Sequence, residues 1–166
     1  MRELPLDAHA FRTASGRYAT GVAIVTTVAE GMDHAMTTNS FASLSLDPLL
    51  ALFCVEQSSR FHEALKASHG FCVSILPEGA EQTARWFSLR GRPLADQFDQ
   101  VPHLRSAHGV PLIADALGWI ECRTDSMVSA GDHDIVIGAV ERLAIAEDES
   151  APLVFWKGRF HGLQSS

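Results

Sequence analysis

Short apolar runs separated by turn residues dominate the chain, and this pattern predicts strands rather than long helices. Seven runs are rich in β-branched or aromatic residues: Val22–Thr27, His34–Asn39, Leu49–Glu56, Phe71–Leu76, Ala116–Met127, His133–Ala146 and Pro152–Trp156. Consecutive runs mostly lack a helical segment between them, so we expect antiparallel pairing. Residues Ser40–Pro48 are expected to be irregular, and Val128–Asp132 is predicted to be a turn.

Three segments instead have apolar residues at helical spacing. They are Asp7–Ala19, whose first residue is a candidate N-cap, Arg60–Ala67, which Ser58 or Ser59 can cap, and Gly79–Phe87. At least six strands with three short helices predict a mainly β fold. A small closed or half-closed barrel with the helices packed outside is the expected architecture, because closure hides strand edges.

Composition narrows the class of protein. The 166 residues fit one domain, 1–166, and are enough to build a core. A formal net charge of −7 argues against a general nucleic-acid binder. The longest apolar run falls far short of the roughly 20 residues that a membrane helix needs. The N-terminus has no signal-peptide pattern and the three cysteines are widely spaced, so we expect reduced thiols and a cytoplasmic location.

The usual catalytic motifs are missing from the sequence. Eight histidines stand in no metal-ligand spacing, so no metal site is predicted. There is no GxSxG nucleophile motif and no phosphate-binding or dinucleotide-binding glycine pattern. A Cys54–His133 pair stays open on sequence alone. Because Cys54 lies inside the apolar run Leu49–Val55, however, a buried structural thiol is the simpler interpretation.

The stretch Thr37–Arg60 combines short polar residues, a buried strand and a second polar group. A flavin ring is flat and apolar with a polar edge, and proteins hold it with backbone groups and short hydroxyl or amide side chains. Residues of that type are Thr38, Asn39, Ser40 and Ser43, while Ser58, Ser59 and Arg60 suit a phosphate. From the residues alone, a serine-rich connector between strands remains an equal alternative.

Gly131, Asp132 and His133 form a predicted turn before a long strand. A histidine at a strand start is commonly structural. Its functional interpretation is a polar group at the mouth of a pocket.

Five segments, in this order, resemble the flavin reductase family with the FMN-binding split-barrel fold, the reductase components of two-component flavin monooxygenases. They are ATGVAIVTT (19–27), TTNSFASLSLDPLLALFCVEQSSRF (37–61), FCVSIL (71–76), GDHDIVIGAV (131–140) and PLVFWKGRF (152–160). The resemblance covers nearly the whole chain. It implies a six-stranded Greek-key split β-barrel with flanking short α-helices, and a homodimer that binds flavin near the subunit interface.

The resemblance also implies roles for individual residues. The flavin-binding set is Thr37, Thr38, Asn39, Ser40 and Ser43 for the ring and ribityl chain, the backbone of Cys54, Val55 and Gln57, and Ser59 with Arg60 for the phosphate. His133 is similar to the residue placed near the nicotinamide, with Phe160 packing close to it. Phe98, with the Arg90–Arg92 loop, is an adenylate-binding candidate. The chain departs from the family pattern in having Pro48-Leu49 rather than two prolines, and Phe160 rather than tyrosine.

The activity that the resemblance implies is NAD(P)H:flavin oxidoreduction. Hydride would pass from NADH or NADPH to FMN or FAD, and the reduced flavin would supply a partner monooxygenase. A reductase of another acceptor, such as a corrinoid or a ferric chelate, is an alternative within the family. A flavin-binding protein without turnover is an alternative of another class.

Overall fold

Antiparallel strands form the body of the protein in the computed structural model, which describes residues 1–147 and 150–163. The helices of this part are α1 (Ala8–Ser15), α2 (Arg60–Ala67) and α3 (Glu81–Ser88), the last preceded by a 3-10 turn at Glu78–Ala80. The strands are β1 (Thr20–Gly21), β2 (Ala23–Ala29), β3 (Met32–Thr38), β4 (Ala42–Leu46), β5 (Leu49–Glu56), β6 (Gly70–Ile75), β7 (His103–Arg105), β8 (Pro111–Ile113), β9 (Gly118–Ala130), β10 (His133–Ile145), β11 (Val154–Trp156) and β12 (Arg159–His161).

Seven of these strands form one sheet in the order β3-β2-β6-β9-β10-β5-β4. The hairpin from β2 to β3 turns at Glu30 and Gly31, both with positive φ, as a two-residue hairpin turn requires. The longest hairpin joins β9 to β10 around Gly131, which also has a positive φ of 69°. Strands β1, β11 and β12 form a second sheet, and β7 pairs with β8.

Two local predictions were wrong. The turn predicted at Val128–Asp132 is shorter, because Val128 and Ser129 still pair with Ile135 and Asp134 in the β9–β10 ladder. The connector predicted at Ser40–Pro48 contains strand β4, which pairs with β5. Its residues are largely exposed, so the segment lacks the buried apolar alternation by which strands are recognised.

Strand β2 is buried on both faces, and its successive residues contribute to opposite sides of the large sheet. Ile24 belongs to a cluster with Ala84 and Phe87 of α3. Val25 belongs to a second cluster, which includes Phe53 of β5 and Phe61 of α2. Helices α3 and α2 therefore pack against opposite faces of the sheet.

The mainly β fold with flanking helices is confirmed. The large sheet has seven strands where six were predicted for the barrel, and its edge strands β3 and β4 do not pair with each other in the part of the chain that the structure describes. Each α-helix described has eight residues, and none of them is long and apolar enough to cross a membrane.

Candidate functional site

The polar side chains of residues 37–40, at the end of β3 and just after it, are hydrogen-bonded within the protein. Thr37 donates its hydroxyl hydrogen to the carbonyl of Ala84 in α3, at 2.6 Å. The hydroxyls of Thr38 and Ser40 lie 2.9 Å apart and share a hydrogen bond. The amide of Asn39 donates to the hydroxyl of Thr20 in β1, at 3.1 Å. These side chains hold the backbone of their own segment in place, while Ser43 is exposed on β4.

Ser40 also connects two distant parts of the large sheet. Its hydroxyl oxygen accepts a hydrogen bond from the backbone N–H of Cys54 at 2.9 Å. Cys54 lies on β5, whereas Ser40 follows β3, and four strands separate β3 from β5 in the sheet order. This contact therefore draws the loop after one edge strand onto a strand near the opposite edge.

A cavity of about 400 Å³ opens where β3, the start of α2 and the segment after α3 meet. Its polar wall includes Ser58, Ser59 and Arg60. Ser59 caps α2, since its hydroxyl accepts a hydrogen bond from the backbone N–H of His62 at 3.2 Å. The first backbone N–H groups of a helix have no partner within the helix, so this end can hold an anion.

Arg60 carries the unpaired positive charge of this cavity. It is exposed, and no other described residue forms an ion pair or a side-chain hydrogen bond with it. Burial and then the charge of Arg60 lower the pKa of His34. The same two causes, in the same order, lower the pKa of Arg92 to about 10. The guanidinium of Arg60 is therefore available for an anionic ligand.

Two further arginines line the same cavity but are already bound. Arg90 forms an ion pair with Glu56, whose other carboxylate oxygen accepts a hydrogen bond from Ser58 at 2.8 Å. Arg92 is buried and donates to Gln97 and to the backbone carbonyls of Ala35, Trp86, Phe87 and Leu89. Arg92 is thus a structural residue that fixes the segment after α3 against β3.

A second cavity, of about 420 Å³, lies beside Thr38, Asn39 and Ser40, with Tyr18 and Phe41 also in its wall. Neighbouring residues on a strand point to opposite faces, which explains why Thr37 lines the first cavity and Thr38 the second. The polar stretch predicted as one binding site is therefore distributed over two neighbouring cavities.

The residues around the start of β10 form a separate polar group. Gln57 does not line the first cavity; its side-chain amide donates to Ser129 and to Asp134, both at 2.7 Å. The side chain of His133 is 46% exposed, and its Nδ1 lies 2.7 Å from a carboxylate oxygen of Asp132. His133 lines neither cavity. Val55 is buried in the core.

The two predicted aromatic residues have different surroundings. Phe98 is buried in the core, with its ring centroid 5.1 Å from that of Phe87. It does not line the first cavity. Phe160 is half-buried on β12, 5.4 Å from the ring of Phe155, and the guanidinium of Arg85 lies 5.1 Å from its ring centre. Phe160 thus keeps one part of its ring near the surface.

A protein-family model described as the flavin reductase like domain matches residues 15–164. This chain belongs to that family. The match includes both cavities, the start of α2 and His133. The resemblance on which the sequence prediction rested is confirmed.

Named relatives in this family align with almost the whole chain or most of it. An NADH-dependent FAD reductase of Streptomyces globisporus is 41% identical over 138 residues, covering 82% of this chain and 75% of the relative. The NADH-dependent flavin reductase StyB of Pseudomonas fluorescens is 35% identical over 159 residues, covering 95% and 91%. The crystal structure of BorF, the flavin reductase component of a bacterial two-component tryptophan halogenase, superimposes with a TM-score of 0.90 at 38% identity, covering 96% of this chain and 100% of that one.

Two residues beside the first cavity, His62 and Asp134, were not predicted from the sequence. His62 is buried in the first turn of α2, and its Nε2 lies 2.7 Å from Asp134. Neither residue stands out in the sequence, since His62 lies between Phe61 and Glu63 and Asp134 lies between His133 and Ile135. The pairing of these two residues, 72 positions apart, follows from the fold and not from the local pattern. In the described part of the chain, no three His, Cys, Asp or Glu side chains cluster as metal ligands would.

Proposed function

We propose that this protein is an NAD(P)H:flavin oxidoreductase that supplies reduced flavin to a partner monooxygenase. Membership of the flavin reductase family and the activities named for its relatives support this function. One observation on this chain itself supports the same function, namely a cavity that combines the N-terminus of α2, two serines and the unpaired Arg60. Such a group of donors fits the terminal phosphate of a flavin.

The first cavity would hold the phosphate, and the rim between the two cavities would hold the flavin ring. Ser59 and Arg60 are the phosphate ligands in this proposal. The hydroxyls of Thr38 and Ser40 are already hydrogen-bonded within the protein, so their contribution would be to fix a backbone edge beside Cys54. Backbone groups on such an edge match the alternating carbonyl and N–H pattern of a flavin ring.

When both molecules are bound, the cofactors supply the chemistry, a hydride transfer from nicotinamide C4 to flavin N5. The protein contributes binding, orientation and exclusion of water. His133 would orient the nicotinamide, because it is exposed and its Nδ1 is held by Asp132. Phe160 has no hydroxyl and would contribute by stacking alone.

The choice between FMN and FAD depends on the segment after α3. Arg90 is bound to Glu56 but exposed, so it can exchange that carboxylate for a second phosphate of FAD. Phe98 is buried and would reach an adenylate only if the segment moved. NADH is the co-substrate named for two relatives, which favours NADH over NADPH for this chain.

We also propose a split-barrel arrangement and a homodimer. The Ser40–Cys54 hydrogen bond between opposite regions of the sheet is consistent with a barrel that is closed only in part. The adjacent strands β4, β5 and β10 carry exposed apolar side chains, namely Leu44, Leu46, Leu49, Leu143 and Ile145. Exposed apolar groups of this kind often mark an interface between subunits. Sedimentation equilibrium would show a species of twice the chain mass, whereas a monomer at micromolar concentration would contradict the dimer.

The decisive experiment is an oxidation assay with purified protein. NADH should be consumed only when FMN or FAD is present, and the omission of flavin is the control. Absence of turnover with both flavins and both nicotinamides would refute the proposal. The same assay with a ferric chelate or a corrinoid in place of free flavin tests the alternative acceptors.

A His133→Ala variant separates an enzyme from a protein that only binds flavin. We expect it to keep flavin affinity and to lose NADH turnover. If turnover is unchanged, the role proposed for His133 is wrong.

A further inference from the structure

Asp134 on β10 makes two short polar contacts around the start of α2. One carboxylate oxygen accepts a hydrogen bond from the side-chain amide of Gln57 at 2.7 Å. The other lies 2.7 Å from Nε2 of His62. The side chains of Asp134 and His62 are only 13% and 7% exposed. Water therefore competes little for these bonds, which are strengthened because the acceptor is charged.

The two partners of Asp134 stand on either side of the segment Ser58–Arg60. Gln57 immediately precedes this segment, and His62 follows it by two residues in the first turn of α2. A single carboxylate thus holds both ends of the segment that lines the first cavity. A third hydrogen bond connects this segment to the turn before β10, since the backbone N–H of Gln57 donates to the carbonyl of Asp132 at 3.0 Å.

His62 has few other partners that could replace Asp134. Its Nδ1 is buried and makes no hydrogen bond with any described residue, although a carboxylate oxygen of Glu63 lies 3.5 Å away. That carboxylate is exposed and also pairs with Lys66 at 2.9 Å. Loss of the Asp134 carboxylate would therefore leave both nitrogens of a buried ring without a hydrogen bond, and α2 would shift to give the ring a partner.

We infer that Asp134 is a positioning residue for the flavin phosphate, an inference that rests on the function proposed above. Asp134 does not line the cavity. It acts through Gln57 and His62, which place Ser59, Arg60 and the free N–H groups of α2 where the phosphate binds. Asp134 also follows His133 directly, so the two neighbouring residues of β10 serve the two ends of the site from opposite faces of the strand.

The test compares the affinities for FMN and for riboflavin, which has the same ring but no phosphate. In Asp134→Asn, an uncharged amide replaces the carboxylate, so neither Gln57 nor His62 keeps a hydrogen bond to a charged group. We expect the Kd for FMN to rise about tenfold and the Kd for riboflavin to change less than twofold, with kcat at saturating FMN within twofold of the unmodified protein. Asp125→Asn, which removes an exposed carboxylate from β9, is the control for charge and should change neither Kd.

Two further variants allow the inference to be tested even if Asp134→Asn does not fold. Gln57→Met removes one tie and keeps the His62–Asp134 contact, so it should raise the Kd for FMN by a smaller factor. His62→Gln keeps a side-chain donor for Asp134 and should retain more FMN affinity than His62→Ala. Equal weakening of FMN and riboflavin in these variants, or no weakening of either, would overturn the inference.

Failure of the inference about Asp134 can be distinguished from failure of the proposed function. If the unmodified protein binds neither flavin, both proposals fall. If Arg60→Ala leaves the ratio of the two affinities unchanged, the phosphate is not bound at α2 and the role of Asp134 falls with it. If Arg60→Ala lowers the ratio and the Asp134, Gln57 and His62 variants do not, only the inference about Asp134 is overturned.

Discussion

Residues 37–40 and residues 58–60 are both short polar segments next to a buried strand, but the protein uses their side chains differently. In the first segment, the side chains of Thr37, Asn39 and Ser40 bind other parts of the protein, and that of Thr38 binds Ser40. In the second, Arg60 has no partner among the described residues and lines a cavity. The first segment therefore builds the wall of the site, and the second offers a charge to a ligand. Polar composition alone does not distinguish these two uses.

Replacement of Arg60 tests this difference with the largest expected effect. A hydrogen bond to a charged group contributes about 1.5–3 kcal/mol, so Arg60→Ala should weaken FMN binding by about 10- to 100-fold. Riboflavin binding should be unaffected, and so should the melting temperature, because Arg60 is exposed and unpaired. Fluorescence titration with both ligands measures this.

Arg12→Ala is the matched control for the Arg60 variant, since Arg12 is also exposed but lies on α1. It should change neither affinity. Equal losses of FMN affinity in both variants would mean that the effect is a general one of net charge, and that Arg60 has no special position.

Ser40 should show the opposite behaviour. In Ser40→Ala the N–H of Cys54 loses its acceptor, which costs about 1–3 kcal/mol when the group is shielded from water. The melting temperature should fall by roughly 2–4 °C for each kcal/mol in a chain of this size. The ratio of FMN to riboflavin affinity should not change, because the loss does not involve the phosphate.

Ser43→Ala provides the control on the same polar stretch. Ser43 is exposed, and its side chain makes no hydrogen bond with the residues that the structure describes. Its replacement should change the free energy of unfolding by less than about 0.5 kcal/mol. A large stability loss in Ser43→Ala, or none in Ser40→Ala, would contradict the assignment of Ser40 as the tie to β5.

A smaller effect is expected at Thr37. Thr37→Val keeps the shape of the side chain but removes its hydrogen bond to Ala84, which should cost about 1 kcal/mol. Thr13→Val removes a similar bond, to the carbonyl of His9, on the exposed surface of α1. Urea unfolding of the two variants should show the greater loss for Thr37. Equal losses would mean that the contact between β3 and α3 adds nothing beyond a local helix bond.

The sequence was sufficient for the elements that depend on local patterns. The apolar run Leu49–Glu56 forms β5 with the predicted bounds, and α2 occupies Arg60–Ala67 with Ser59 as its cap. Strand β4 was missed because its residues are largely exposed, and its strand conformation comes from pairing with β5. The intrinsic strand propensities of these residues do not indicate such a pairing partner.

For the site, residue type predicted which residues belong to the region but not which way they face. Arg92 and Phe98 looked suited to a ligand by type, yet both are buried and satisfied within the protein. Gln57 faces Asp134 and not the cavity. These orientations are set by contacts between residues far apart in the chain, and a single sequence contains no direct signal of them.

The last prediction has the smallest effect at neutral pH. It concerns the stability of the protein in acid, where the two segments should differ most. Hydrogen bonds from Gln57 and then from His62 lower the pKa of Asp134 below its usual value. A carboxyl whose pKa is lowered by folding stabilises the native state above its unfolded pKa, about 3.9 for aspartate. That contribution disappears as the pH falls through the folded pKa. The hydrogen bonds of Gln57 and His62 to Asp134, which flank residues 58–60, should therefore weaken below about pH 4. The hydrogen bonds of residues 37–40 involve only neutral groups and should not weaken.

Urea unfolding between about pH 2.5 and 7 would detect this contrast around the carboxyl pKa. The difference in stability between the unmodified protein and Asp134→Asn should shrink as the pH falls below 4, because the carboxyl is then protonated in both states. The difference between the unmodified protein and Ser40→Ala should stay constant across the same range. Gln57→Met removes the first cause of the lowered pKa, so its acid loss should be smaller than that of the unmodified protein and should be complete at a higher pH. A constant difference for Asp134→Asn would show that the carboxylate charge does not hold the segment, and the distinction between the two segments would then rest on Arg60 alone.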